Sequence, residues 1–175
     1  MTFAKIPGES DLTAKEIVNT WSGESISNVL YGYGEERYAR RIAREIVESR
    51  IAHPIEPTTD LVEVIQRAVP APYTRRKTHF ATKSFQALRI AVNDELKSIE
   101  EGMSKAYRFL ETGGRIAVIS FHSIEDRIVK NYFKKLKAEH GDLIITKKPI
   151  IPSREEVREN PRSRSAKLRI LQKTE

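Results

Sequence analysis

The 175-residue sequence contains no cysteine. That excludes a disulfide framework, a thiolate nucleophile and any cysteine-ligated zinc or iron–sulfur centre. No apolar run approaches the roughly 20 residues needed to span a bilayer. The opening MTFAKIPGES lacks the charged and apolar regions of a signal peptide. The expected setting is soluble and cytoplasmic, with no membrane partner. The four histidines, His53, His79, His122 and His140, are far apart and lack metal-ligand spacing, so no metal site is expected. Also missing are G-x-G-x-x-G, GxxxxGK[ST], H-E-x-x-H and G-x-S-x-G, the signatures of common nucleotide-binding, metalloprotease and hydrolase sites.

What is present is basic. The net charge is +7, and residues 147–175 hold nine Lys/Arg against four Glu, an excess of five in the last sixth of the chain. Such a segment suits a polyanion, most commonly nucleic acid, or is simply a soluble basic tail. A hydrophobic content of 39% is enough for a core, and the length fits one medium domain or a domain with a smaller partner.

Residues 1 to about 70 read as helices. SDLTAKEIVNTW offers Ser10 or Asp11 as a cap ahead of Ile17, Val18 and Trp21. After Gly34, Tyr38, Ile42 and Ile46 fall four apart with Ala39, Ala43 and Val47 beside them, one apolar stripe of a helix. Arg37, Arg40, Arg41 and Arg44 take the other side, either as a solvated face or as a nucleic-acid reader. Pro54 stops that helix, and Thr59 or Asp60 caps the next. Residues 71–84 carry Arg75, Arg76, Lys77, His79 and Lys83 without periodicity, the pattern of an exposed basic loop. From Phe85 to Leu110, apolar residues at alternating steps of three and four predict one helix of about seven turns, ended by Gly113 and Gly114.

The remainder alternates strands and helices. RIAVISF is a continuous apolar run, as in a parallel strand covered on both faces. A helix over 124–138 follows, with Ile128, Tyr132 and Leu136 on one stripe and Val129 and Phe133 beside them. DLIITKK reads as a second strand, Ser153 with Glu156 as a capping box, and AKLRILQK as an alternating, antiparallel edge strand. This is the order of the second half of a doubly wound α/β sheet, in which ligands bind beyond the carboxyl ends of the strands. His122 and Ser123 fall at that edge, and the start of the last strand brings Arg162, Arg164 and Lys167 toward it. Ser123 with Asp126 also fits a helix cap, and Glu125 and Asp126 suit the positive end of a helix. His122 either donates to a ligand or caps a neighbouring carbonyl.

TAKEIVNT, YGEERYARRIAREIV, SFQALRIAVNDEL, GGRIAVISFHSIEDRIVK, TKKPIIPS and NPRSRSAKLR occur in this order. Together, from Leu12 to Arg169, they closely resemble the C-terminal portion of the ribosomal RNA small-subunit methyltransferase H family. Phe80 departs from the pattern, since the family usually has proline there. The resemblance implies an α/β fold, the second half of a Rossmann-like class I methyltransferase sheet preceded by an all-helical inserted domain. Residues 1–84 would be the RNA-recognising insert and residues 85–175 the C-terminal part of the methyltransferase domain.

The activity implied is transfer of a methyl group from S-adenosylmethionine to the N4 amine of a cytosine in the decoding region of 16S rRNA, on the small ribosomal subunit. The family's glycine-rich GGHS-like loop and the acidic residues that follow it do not occur in these 175 residues. No cofactor-binding residue is therefore assigned, and the N-terminal cofactor-binding half is expected on a separate chain. On this resemblance His122, Ser123 and Asp126 form the rim of the substrate site. Arg127, Arg162, Arg164 and Lys167, with Arg75, Arg76 and Lys77, contact RNA. The other expectations are a catalytically inactive RNA-binding or assembly module, or a truncated remnant.

Overall fold

The computed structural model describes residues 12–175 and divides the chain into two compact units, Met1–Asp94 and Glu95–Glu175. The first unit is helical: α1 (Ala14–Thr20), α2 (Gly23–Gly34), α3 (Ala39–Ala52), α4 (Thr58–Ala68), the single turn α5 (Ala71–Thr74) and α6 (Thr82–Asn93). Its core is formed by Ile17, Ile26, Leu30, Ile42, Ile46, Ile65 and Leu88, all buried. The stripe expected after Gly34 is therefore the buried face of α3, with Tyr38 packed at its margin and Arg40, Arg41 and Arg44 exposed. Helix α2 ends where Gly34 presses on α6, and a Cβ at Gly34 would lie 2.6 Å from the Lys83 carbonyl oxygen.

The caps differ from those expected. Ser10 and Asp11 lie outside the described residues, and α1 is capped by Thr13, whose Oγ1 accepts the Glu16 N–H at 3.1 Å. Helix α4 starts at Thr58 after Pro57, so Thr59 and Asp60 lie inside its first turn. There the Thr59 hydroxyl donates to Asp60 instead of capping the backbone. The basic loop holds the turn α5 and leaves Arg75, Arg76 and Lys77 exposed.

The second unit comprises α7 (Glu95–Arg108), β1 (Arg115–Ser120), α8 (Ser123–His140), β2 (Leu143–Ile144), α9 (Arg154–Glu159), a 3-10 turn (Pro161–Ser165) and β3 (Lys167–Gln172). Its core is Met103, Ile116, Val129, Phe133, Leu136 and Leu171. The single helix expected over 85–110 is in fact two. Asp94 adopts the left-handed conformation (φ 47°, ψ 41°), which a short polar side chain tolerates, and its N–H closes α6 on the Ile90 carbonyl. Helix α7 then ends at Arg108, before the two glycines. Gly113 (φ 82°) instead forms the turn into β1, donating its N–H to the Lys173 carbonyl at 2.8 Å.

The chain is a mixed α/β protein with a three-stranded sheet of order β1-β3-β2 among the described residues. Both β1 and β2 pair antiparallel to β3. The antiparallel sense of the last strand was expected, but its place was not. β3 is the central strand and β1 lies at an edge. The alternation of AKLRILQK misleads because Arg169, which looks like a solvent-facing residue, is only 6% exposed, on the same face as Leu171. β1 is not covered on both faces either. Ile116 and Ser120 are buried, whereas Ile119 is 58% exposed and Phe121, just beyond the strand, 53%. The register sets Ile119 opposite Leu168 and Ala117 opposite Ile170, so this open face of the sheet is apolar. None of the described helices is long and apolar enough to cross a membrane.

Candidate nucleic-acid site at the end of the first strand

The chain leaves β1 through Phe121 and enters α8, and His122 caps the helix. Its Nδ1 accepts the Glu125 N–H at 3.2 Å, while Glu125 Oε2 accepts the N–H groups of Phe121 (2.7 Å) and His122 (3.3 Å). This is a capping box with histidine in the position usually held by serine or threonine. Ser123 accordingly occupies the first helical position, not the cap expected of it. With Nδ1 accepting, the neutral ring carries its proton on Nε2, 3.3 Å from Glu125 Oε1. Burial pushes the Glu125 carboxyl up, but hydrogen bonds from His122 and the Phe121 amide outweigh it and hold the group below its ordinary value.

Asp126 turns toward β3. Its Oδ1 accepts from Arg169 Nε at 2.7 Å and its Oδ2 from Arg169 Nη2 at 3.1 Å, and Lys167 Nζ lies 3.6 Å from Oδ2. The Arg169 hydrogen bonds hold the Asp126 carboxyl below the usual range against the opposing effect of burial. This two-pronged pair joins the first turn of α8 to the central strand and carries Lys167 with it.

Beside these groups lies a cavity of about 260 Å³. Phe121, Ile151, Pro152 and Val157 form its apolar wall; His122, Ser123, Arg164 and Lys167 supply polar groups. Of the residues expected at the rim or on RNA, His122, Ser123, Arg164 and Lys167 therefore meet in one place. Asp126 stands behind, through Lys167. Arg127 on α8 and Arg162 in the 3-10 turn are exposed outside this wall, and Arg75, Arg76 and Lys77 belong to the helical unit. Sequence reasoning missed Arg169 and the apolar residues Phe121, Ile151 and Pro152, and gave Glu125 only a place at the positive end of the helix. An arginine two residues after Lys167 in a short strand was the available signal for the first.

The cavity wall contains two cations, the amino end of an 18-residue helix and, among the described residues, no carboxylate. It suits a ligand with a flat apolar part and a negative charge. Glu95, His122 and Glu125 offer ligand atoms within 4.8 Å of one another, close enough for a metal ion. A metal on Nε2, however, would require that nitrogen's proton to leave while Nδ1 remains the helix cap.

Residues 5–174 match the profile of the MraW methylase family. The ribosomal RNA small subunit methyltransferase H of Synechocystis sp. is 52% identical over 163 residues, covering 93% of this chain and 52% of that protein. The proteins of the same name from Thermotoga neapolitana and Persephonella marina are 52% identical over 170 residues and 50% over 161. These matches cover 95% and 92% of this chain and 55% of each relative. The chain thus spans about half the length of the curated relatives it matches.

Proposed function

The chain belongs to the MraW methylase family, and from that premise we propose that it forms the RNA-facing part of an S-adenosylmethionine-dependent methyltransferase. The substrate is the N4 amine of a cytosine in the decoding region of 16S rRNA, presented on the small ribosomal subunit. The observation that carries this reading is the cavity at the end of β1, with apolar walls and cations but no carboxylate among the described residues.

An exocyclic amine is a weak nucleophile because its lone pair is delocalised into the ring, so the reaction depends mainly on holding it in line and in place. In this reading Phe121, Ile151 and Pro152 flank the base of an unpaired cytidine. Arg164 and Lys167 hold its phosphates, and His122 and Ser123 border the base at the start of α8. The Asp126–Arg169 pair acts by positioning, since it fixes Lys167 and the first turn of α8.

The residues of this cavity do not fit the methyl donor. A cavity bearing Arg164 and Lys167 repels a sulfonium cation, and among the described residues its wall has no carboxylate to hold ribose hydroxyls. In this reading the cofactor-binding groups lie outside this cavity, on polypeptide contiguous with these residues or on a separate chain. The helical unit would be the insert and the second unit the C-terminal part of a Rossmann-like sheet. Support comes from β1 itself, whose outer edge pairs with no strand among the described residues and whose open face is apolar. The same misfit of this cavity to the methyl donor also favours a second reading, a catalytically inactive RNA-binding module.

Calorimetric titration of S-adenosylmethionine into the purified chain tests the assignment. No binding is expected; micromolar binding would mean that the chain builds a cofactor pocket of its own and would overturn this division of labour.

A further inference from the structure

The helical unit carries a cluster of arginines and tyrosines that the cavity at β1 does not use. At its centre is Glu36, 0% exposed. One carboxylate oxygen accepts the Tyr38 N–H at 2.9 Å and the other the Tyr73 hydroxyl at 2.7 Å. The two rings meet edge to face, with centroids 4.9 Å apart. Arg37 lies over both rings, at 4.7 and 5.1 Å, Arg41 over Tyr38 at 5.8 Å and Arg76 over Tyr73 at 5.0 Å. The buried carboxylate thus anchors the aromatic rings, and the rings in turn orient the guanidinium groups. Among the described residues, neither these three arginines nor Arg40 forms an ion pair with a carboxylate.

Three of these arginines face a common space. A cavity of about 400 Å³ between α2 and α3 is lined by Ser27, Asn28, Tyr31, Arg37, Arg40 and Arg41, and among the described residues no carboxylate contributes to its wall. It continues, through Ser27, Asn28 and Arg40, into a neighbouring cavity whose wall includes Glu24 and Glu48, so the anion-binding end is the one at Arg37 and Arg41. Tyr31 is 69% exposed there, an aromatic face left open to solvent. The volume lies in the range of about 300–1,000 Å³ that holds small ligands.

We infer that this cavity is a second RNA subsite, taking one unpaired nucleotide with its base against Tyr31 and its phosphate among Arg37, Arg40 and Arg41. The inference rests on the reading of the substrate as RNA. Planar guanidinium forks bind phosphate oxygens two at a time. An open tyrosine beside them is the stacking platform of single-strand binding, tolerant of sequence because every base has a flat face. An acidic protein would use the arginines alone and leave Tyr31 without a role. The subsite thus takes an unpaired nucleotide other than the modified one, and it gives the helical unit an affinity for single strands that a duplex does not share.

The test is fluorescence polarisation of a fluorescein-labelled single-stranded RNA decamer with the whole chain, from 50 to 300 mM KCl. Lys130→Ala combined with Lys134→Ala serves as a charge-matched control on an exposed face of α8. Folding of every variant is checked by circular dichroism. Arg40→Ala with Arg41→Ala should weaken binding about tenfold beyond the control and lower the salt slope by about 0.7 for each phosphate left without its cation. Tyr31→Ala should weaken it by roughly fivefold or more, and Tyr31→Trp should retain it. RNA binding that these substitutions leave at the control level would overturn the subsite while leaving the methyltransferase reading, which a methyl-transfer assay measures, intact. Equal competition by polyglutamate, or equal affinity for the duplex of the same sequence, would overturn the nucleotide assignment. A parent chain with no RNA affinity would overturn it as well.

Discussion

Replacing Asp126 with alanine removes the only carboxylate on Arg169 among the described residues and leaves a guanidinium buried between β3 and α8. Breaking a buried pair by deleting one partner costs about 3–5 kcal/mol, because the remaining charge loses its compensation. For a chain of this size that is a large share of a total stability of about 5–15 kcal/mol. At 2–4 °C per kcal/mol it corresponds to a fall of roughly 6–20 °C in melting temperature. Replacing both partners, Asp126→Leu with Arg169→Met, should recover most of the loss, since an apolar pair leaves no buried charge unpaired and Lys167, which also faces Asp126, is part-exposed.

The pH dependence has a fixed sign. The folded carboxyl titrates below its unfolded value, so its contribution is complete above the ordinary carboxylate range, about pH 4, and is lost as pH falls through the lowered value. Urea unfolding followed by far-ultraviolet circular dichroism at pH 7 and pH 3 reads both effects, with amide exchange at Ile170 and Leu171 as the local probe. An Asp126→Ala variant within about 0.5 kcal/mol of the parent at pH 7, the range of ordinary surface substitutions, would refute the claim that this pair fastens the helix to the sheet.

Losing the His122 cap through His122→Ala should cost about 1 kcal/mol in thermal unfolding, and His122→Asn, which keeps an acceptor, should restore most of it. Gly34→Ala forces a Cβ against the Lys83 carbonyl and should destabilise by about 1–3 kcal/mol. Gly32→Ala, whose Cβ would meet nothing within 4 Å, should instead stabilise by about 0.5–1 kcal/mol in the same unfolding experiment. Arg164→Ala should lower the salt dependence of single-stranded RNA binding by about 0.7 in slope, read from titrations at several KCl concentrations.

The helices of the first unit were legible because their core is local: Tyr38, Ile42 and Ile46 repeat every four residues and that face is buried. The break at Asp94 was not, because the three-and-four spacing runs straight through it. One residue in a left-handed conformation ends a helix without disturbing the apolar pattern on either side. The strand order was hidden by Arg169, whose burial depends on a partner 43 residues earlier. The cap of α8 was misplaced by one residue, since Ser123 fits the usual template and histidine seldom takes that role. His122, Arg164 and Lys167 were legible as neighbours because the end of one strand and the start of an antiparallel one must lie at the same edge. The tyrosine–arginine cluster was not, because Glu36 and Tyr73 are 37 residues apart and only the folded unit joins them.

The central claim is best tested by methyl transfer. The chain would be combined with a polypeptide carrying the cofactor-binding half, labelled S-adenosylmethionine and small ribosomal subunits, and the digested 16S rRNA resolved by mass spectrometry. N4-methylcytidine is expected at a single position when both halves are present, none with either alone, and a marked loss with Arg164→Ala. Labelled product at another atom or base, or equal product without this chain, would contradict the claim.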